Sequence, residues 1–250
     1  MGNDGQVAAV TGGTRGIGRA VVDLCLSRGY AVAVCAGTSD DHGLPRGVLY
    51  HPADIRRKEE VDGFLQVVFE KHGRLDLMVN CAGISRWKPI QQIDEGFLSE
   101  LIETNLMGTL WTCAAAASVM KEGGAIVNIS SLAGKRGSAN NSAYCASKFA
   151  VNGITQALAK ELGARGIRVN AVCPVYVRTE EIRQALSEPE APARDQGAEK
   201  YLEQFAATQT ALGRLPSAEE VAEAVLFLAS PAASAITGQC INVDCGAFPQ

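Results

Sequence analysis

The stretch Val7-Ala-Ala-Val-Thr-Gly-Gly-Thr-Arg-Gly-Ile-Gly18 decides the fold of this chain. Its apolar start predicts a strand, and Gly16 to Arg28 predicts a helix because Ile17, Ala20 and Leu24 recur at helical spacing. Glycines between a strand and a helix let the backbone approach a pyrophosphate closely, and the helix start offers unpaired N–H groups to it. The stretch therefore predicts the first strand–turn–helix unit of a nucleotide-binding sheet.

The same alternation of short apolar runs with longer amphipathic ones continues along the chain. The predicted strands are Val7–Val10, Tyr30–Cys35, Val48–Tyr50, Leu75–Val79, Ala125–Ile129, Ile167–Val172 and Cys240–Val243. Strands that are apolar throughout and joined by helices indicate a parallel sheet covered on both faces. The sequence thus predicts one doubly wound, Rossmann-like α/β domain over residues 1–250, with a seven-stranded parallel sheet.

Three predicted helical segments carry the later motifs, and one further segment does not follow the alternation of strands and helices. Helical periodicity covers Asp94–Met120, Ala143–Ala164 and Ala218–Ala229. Residues 180–215 contain Pro189, Pro192 and Gly197 and form a longer connection than usual. Because this segment follows the carboxyl end of a strand, we expect a lid over a substrate site.

Composition excludes several function classes. The chain has a net charge of −4, whereas a general nucleic-acid binder carries an excess of basic residues. No apolar run is long enough to span a membrane, and the first residues carry no secretory signal. The 8 cysteines form no Cys-x-x-Cys pair, which favours reduced thiols in a cytoplasmic protein. The 3 scattered histidines predict no metal site.

Tyr144 and Lys148 form the first candidate catalytic pair. They are four residues apart on a predicted helix, so their side chains share one face. An ammonium near a phenol favours the phenolate, so we expect Lys148 to lower the pKa of Tyr144. Such a tyrosine can protonate a carbonyl oxygen or deprotonate an alcohol. Ser131, at the end of a strand, can hydrogen-bond the same oxygen. Asn105 is a further candidate, because its polar side chain interrupts an amphipathic helix.

The chain resembles the short-chain dehydrogenase/reductases over nearly its whole length. The motifs that carry the resemblance are Thr11-Gly-Gly-Thr-Arg-Gly-Ile-Gly18, Val79-Asn-Cys-Ala-Gly83, Thr104-Asn105, Asn128-Ile-Ser-Ser131, Tyr144-x-x-x-Lys148, and Cys173-Pro174 followed by Thr179. The chain departs from the usual pattern at Cys81, Val175 and Cys245. The general style of the motifs is closest to the 3-oxoacyl-carrier-protein reductases.

The resemblance implies a nicotinamide-dependent enzyme that interconverts a ketone and a secondary alcohol. It implies Asn105, Ser131, Tyr144 and Lys148 as the catalytic residues. The implied cofactor-binding residues are Gly12, Thr14, Arg15, Gly16, Ile17, Gly18, Asp54, Ile55, Asn80, Ala82, Gly83, Tyr144, Lys148, Pro174, Val177 and Thr179. It also implies a homotetramer, and the apolar character of the helices around Asn105 and Tyr144 favours association.

The choice between NAD(H) and NADP(H) depends on charge. A carboxylate at the end of the second strand would accept the ribose 2′-OH of NAD(H). That end reads Cys35-Ala-Gly-Thr-Ser39 and contains no acid, although Asp40 and Asp41 follow. Arg15 resembles the family's basic residue that faces a 2′-phosphate. NADP(H) is therefore favoured, and NAD(H) stays open if the loop acids fold back.

The substrate is less well defined by the sequence. Arg86, Trp87, Asn141 and Tyr176 are the candidate substrate residues, and the partner is a small carbonyl or alcohol compound. From Glu180 to Glu203 acids outnumber bases by 4, which disfavours docking of an acidic carrier protein there. Two other functions stay open. They are a 3-oxoacyl-[acyl-carrier-protein] reductase of fatty acid or polyketide synthesis, and a dinucleotide-sensing regulator without catalysis.

Overall fold

A single parallel sheet forms the centre of the computed structural model, which describes residues 5–121 and 123–249. Its strands are β1 (Val7–Thr11), β2 (Ala31–Cys35), β3 (Leu49–Tyr50), β4 (Leu77–Asn80), β5 (Ala125–Ile129), β6 (Arg168–Pro174) and β7 (Cys240–Val243). The strand order is β3-β2-β1-β4-β5-β6-β7, and every neighbouring pair is parallel. The predicted seven-stranded, doubly wound fold is confirmed, with strand ends shifted by at most two residues.

Helices cover both faces of the sheet. They are α1 (Gly16–Ser27), α2 (Lys58–His72), α3 (Glu95–Leu101), α4 (Gly108–Val119), α5 (Ser142–Leu162), α6 (Glu180–Leu186), α7 (Ala198–Gln209) and α8 (Ala218–Ala229). Along β1, Val7 and Ala9 join the core under α2, α4 and α5, whereas Ala8 and Val10 join the core under α1 and α8. Alternate residues of a strand point to opposite faces, so a strand buried on both sides is apolar throughout.

The region predicted as one long helix over 94–120 is divided. A π-helical turn, Ile102–Met107, separates α3 from α4. Helical periodicity does not reveal such a turn, because the apolar spacing resumes on the far side of it. The turn contains Asn105, so the structure gives a reason for the polar residue that interrupts this helix.

The segment 180–215 packs its own small core against the sheet domain. Leu186, Ala191, Ala193 and Leu202 are fully buried and contact Trp87 from the loop after β4. Apolar burial of this kind anchors the segment at the sheet's carboxyl edge.

The eight cysteines are free thiols, so no disulfide contributes to the fold. Within residues 5–121 and 123–249, no helix has the length and apolar character needed to cross a membrane. In the same residues, no cluster of three His, Cys, Asp or Glu side chains is arranged to hold a metal ion.

Candidate active site

A cleft of about 980 Å³ opens at the carboxyl ends of the strands. The chain winds from β1 toward β3 in one direction and from β4 toward β7 in the other, so the order reverses between β1 and β4. Parallel sheets bind ligands at such a reversal, where the loops after the strands diverge. The loops after β1, β2, β4, β5 and β6 all line this cleft.

The glycine-rich turn after β1 leaves space for a pyrophosphate. Gly12 has φ +65°, and a Cβ there would lie 2.9 Å from the Cα of Ala82. At Gly18, a Cβ would lie 2.2 Å from the carbonyl oxygen of Gly12. No side chain caps the start of α1 at Arg15, so its first N–H groups face the cleft. An uncapped helix start beside a turn that tolerates no side chains fits the phosphates of a dinucleotide.

Most of the cofactor residues expected from the sequence line this one cleft. They are Gly12, Thr14, Arg15, Gly16, Ile17, Gly18, Asp54, Ile55, Ala82, Gly83, Tyr144, Lys148, Pro174, Val177 and Thr179. Asn80 requires a correction, because its side chain turns into the helix layer behind the sheet. Its Nδ2 donates to Oδ1 of Asn128 at 2.8 Å and to Sγ of Cys113 at 3.1 Å. The residue ends β4, where side chains still alternate between the two buried faces.

The adenosine end of the cleft carries no carboxylate from the loop after β2. Ala36, Gly37 and Thr38 line it. Asp40 and Asp41 instead accept hydrogen bonds from the backbone N–H groups of His42 and Gly43, within their own turn. Neither Asp40 nor Asp41 is among the residues that line the cleft.

Arg15 forms an ion pair that the sequence did not indicate. Its Nε lies 3.0 Å from Oε1 of Glu181, at the start of α6. This pair joins the glycine-rich turn to the segment 180–215. The Arg15 side chain is 69% exposed, and an ion pair so open to solvent is weak, worth about 0 to 1 kcal/mol. A phosphate can therefore compete with Glu181 for the guanidinium.

Tyr144 lies in the first part of α5 with its phenol beside two serines. Burial raises the pKa of the phenol, and the neighbouring hydroxyls of Ser131 and Ser85 lower it by less. The net shift is therefore upward and not downward as expected, because removing the phenol from water penalises the phenolate more than its polar neighbours stabilise it. A phenol that stays protonated is suited to donate a proton.

Lys148 lies one turn further along α5 and is 6% exposed. Its Nζ donates to the carbonyl oxygen of Ile129 at 3.0 Å and lies 5.8 Å from the ring centroid of Tyr144. Burial lowers its pKa to about 8. The ammonium is thus held at the base of the cleft by the end of β5, within reach of the Tyr144 ring.

Asn105 lies behind this pair and does not line the cleft. Its Oδ1 accepts from the N–H of Ile84 at 2.9 Å, and its Nδ2 donates to the carbonyl of Ile84 at 2.9 Å and to Oγ of Ser147 at 3.0 Å. These bonds fix the loop after β4 against α5. Asn105 thus positions the loop that carries Gly83 and Ser85 beside Tyr144 and Lys148, and its place among the catalytic residues stays a prediction.

The candidate substrate residues are brought together at the outer end of the cleft. Arg86 is held by Glu100 at 2.8 Å and Glu188 at 3.1 Å, so its charge is already paired. Trp87 is 5% exposed and packs under the segment 180–215. Asn141 donates to Oγ of Ser138 at 3.2 Å, while its Oδ1 is buried without a partner among the described residues.

Four further residues of the cleft were not singled out from the sequence. Ser85, Arg136, Tyr201 and Phe205 all line it. Ser85 directly precedes Arg86, and Arg136 lies between Ser131 and Tyr144. This closeness in sequence to the predicted site residues is the signal that could have identified both. Tyr201 and Phe205 lie on α7, whose approach to Tyr176 is a tertiary contact that no local pattern encodes.

Comparison with known proteins agrees with this geometry. Residues 12–247 match the family described as enoyl-(acyl carrier protein) reductase. A 3alpha-hydroxysteroid dehydrogenase of Mediterraneibacter gnavus is 39% identical, over 96% of this chain and 95% of that protein. A 3-oxoacyl-[acyl-carrier-protein] reductase of Vibrio cholerae is 33% identical over 99% of both.

A solved structure shows the same relationship in three dimensions. A short-chain type dehydrogenase/reductase of Mycobacterium ulcerans superposes with a TM-score of 0.88 at 32% identity, over 99% of this chain and 91% of that one. The match covers both the nucleotide cleft and the Tyr144–Lys148 helix. The chain belongs to the short-chain dehydrogenase/reductase family, whose members are oxidoreductases that use a nicotinamide dinucleotide.

Proposed function

We propose that this oxidoreductase is an NADP(H)-dependent carbonyl reductase in which Tyr144 is the general acid. The observation that carries the proposal is the Tyr144 phenol, which shares the cleft with Ser131 and Ser85 and whose pKa burial raises. A phenol that keeps its proton near neutral pH favours donation to a ketone oxygen over abstraction from an alcohol. The reverse reaction uses the same residues at higher pH.

The residues around the substrate's carbonyl oxygen have different roles in the reaction. The nicotinamide, when bound, supplies or accepts the hydride. Ser131 and Ser85 hold the phenol and the ketone oxygen together, and the Tyr144 Oη gives that oxygen its proton. The ammonium of Lys148 stabilises the phenolate that this step leaves behind. Asn105 keeps the loop after β4 in the position that these contacts require.

We assign the segment 180–215 the role of a substrate lid. Glu181, Ile182, Tyr201 and Phe205 reach the cleft from it, while its buried core anchors on Trp87. Its attachment to the turn after β1 is the solvent-exposed Arg15–Glu181 pair. A weak contact at this point permits opening for cofactor exchange.

The preference for NADP(H) follows from the charges at the adenosine end. Ala36 and Gly37 supply no ribose acceptor, and Asp40 and Asp41 are engaged in their own turn. Arg15 is the cation nearest the start of α1. A 2′-phosphate would replace Glu181 as its partner, and a charge-assisted contact of this kind contributes about 1.5–3 kcal/mol.

We also propose a homotetramer. Phe149 on α5 is 49% exposed and Leu110 on α4 is 38% exposed. Large apolar side chains on two neighbouring helices favour burial against a second copy. Light scattering at micromolar concentration should give four times the chain mass of 26.3 kDa, and a monomer would contradict the proposal.

A 3-oxoacyl thioester on a carrier protein is the second candidate substrate, since a relative bears that activity in its name. The acidic segment over the cleft disfavours an acidic carrier. The basic side chains on another face are also engaged. Arg165 donates to the carbonyls of Ala117 and Met120, and Arg168 donates to the carbonyl of Ala229 at 2.9 Å. These guanidinium groups cap helix ends, which reduces their availability for docking.

Turnover of ketones and alcohols with both cofactors tests the proposed function. Tyr144→Phe should lower kcat by at least about 100-fold, because the transferable proton is lost while the ring is kept. NADPH binding, followed by fluorescence, should be retained. Tyr30→Phe is the matched control, since Tyr30 precedes β2 at the opposite edge of the sheet. Near-normal turnover by Tyr144→Phe would contradict the role of Tyr144, and no turnover of any ketone by the natural enzyme would favour a regulator.

A further inference from the structure

The outer end of the cleft has an aromatic wall. The ring of Tyr176 meets Phe205 edge to face at a centroid distance of 4.9 Å, and Tyr201 at 5.7 Å. The hydroxyls of Tyr176 and Tyr201 lie 3.3 Å apart, so that one donates a hydrogen bond to the other. Most of the surface of this wall is ring carbon, and it suits an apolar, ring-bearing substrate.

The ionic side chains along the cleft are almost all paired. The pairs are Arg15 with Glu181 at 3.0 Å, Arg56 with Asp54 at 2.6 Å, and Arg86 with Glu100 at 2.8 Å and Glu188 at 3.1 Å. Each of these cations has a carboxylate within contact distance. They need no anion from a ligand to balance their charge. Lys148 is engaged with the end of β5 and with Tyr144.

Arg136 is different from the other cleft arginines. Among residues 5–121 and 123–249, no carboxylate forms an ion pair with it. Its guanidinium carbon lies 5.7 Å from the ring centroid of Phe248. A ring face attracts a cation but carries no net charge, so the positive charge of Arg136 stays uncompensated.

The position of Arg136 relates this charge to the reaction site. The residue follows Ser131 in the loop that leads to Tyr144, and it lines the same cleft. Tyr144, Tyr176, Tyr201 and Phe205 line this cleft as well. Arg136, the aromatic wall and the general acid can therefore contact one substrate.

We propose that the substrate is a hydrophobic oxo acid, or the corresponding hydroxy acid, whose carboxylate pairs with Arg136. The assignment rests on the proposed reductase function. The apolar body packs on Tyr176, Tyr201 and Phe205, and the ketone points to Tyr144. In the reduction, the carbonyl carbon gains the hydride of NADPH and the oxygen gains the Tyr144 proton. The carboxylate is unchanged, NADP⁺ is released, and solvent restores the proton of Tyr144.

Matched acids and methyl esters test this assignment. The probes are 4-oxo-4-phenylbutanoate, 5-oxo-5-phenylpentanoate and 3-(4-oxocyclohexyl)propanoate, each with its methyl ester. With NADPH, kcat/KM for at least one acid should exceed that of its ester by about 10- to 150-fold, the value of one charge-assisted contact. Arg136→Met should abolish this preference by lowering kcat/KM for the acid to the level of its ester, and thermal unfolding shows whether the variant is folded. Arg136→Lys should restore part of it.

Three results would overturn the assignment. The first is equal kcat/KM for acids and esters in the natural enzyme. The second is a preference for acids that survives in Arg136→Met. The third is turnover of acetoacetyl-CoA in place of the acids, with loss of that turnover in Arg136→Met, since Arg136 would then hold the phosphate of a thioester carrier. Failure to reduce any ketone, esters included, would instead refute the proposed function itself.

Discussion

Replacement of Lys148 by Met should stabilise the cofactor-free protein near neutral pH while it impairs catalysis. Burial lowers the pKa of this lysine from 10.5 to about 8. An unfolded chain keeps the side chain protonated up to pH 10.5, so below about pH 8 the folded state holds a charge that its surroundings disfavour. The difference in pKa corresponds to about 3 kcal/mol. Met also loses the charge-assisted hydrogen bond to Ile129, worth about 1.5–3 kcal/mol, which leaves a net gain of up to about 1.5 kcal/mol.

Urea unfolding of both proteins at about pH 7 and about pH 10.5 measures this effect. The folded lysine loses its proton as pH rises through 8, so the natural protein gains stability relative to the variant up to pH 10.5. Groups common to both proteins cancel in the comparison. Lys160→Met is the control, because Lys160 is exposed on the same helix; it should change stability by less than about 0.5 kcal/mol at either pH. A Lys148→Met protein less stable at pH 7, or a difference that does not vary with pH, would refute the reasoning.

Three further substitutions test the cofactor site. Ala36→Asp should shift the ratio of kcat/KM toward NAD(H) by about 10-fold or more, because it adds a ribose acceptor and repels a 2′-phosphate. Arg15→Ala should weaken only NADP(H), and an inherent preference of the natural enzyme for NAD(H) would contradict both expectations. Gly18→Ala should lower both stability and cofactor affinity, since its Cβ would lie 2.2 Å from the Gly12 carbonyl. Thermal unfolding and NADPH titration measure these losses. Gly63→Ala is the control in open space on α2, and it should raise stability by about 0.5–1 kcal/mol; an unaffected Gly18→Ala would show that the turn can relax.

The sequence by itself determined the fold and the closeness of Tyr144 to Lys148. The strands are apolar on both faces and alternate with helices. This pattern indicates a parallel sheet that is covered by helices on both faces. The glycine turn after β1 and the spacing of Tyr144 and Lys148 are local features, in which neighbours along the chain are neighbours in space. For the same reason, the bounds Ala125–Ile129, Ala218–Ala229 and Cys240–Val243 were predicted to the residue.

Only the tertiary structure decided which side chains far apart in the sequence pair with one another and how deeply each is buried. Asn80 turns away from the cleft because Asn128, 48 positions later, accepts its hydrogen bond. Arg15 meets Glu181 across 166 residues of chain, since α6 folds back over the turn after β1. Burial, which depends on every element packed around a group, reversed the expected shift of the Tyr144 pKa. Periodicity describes one element at a time, whereas pairing and desolvation are properties of the assembled fold.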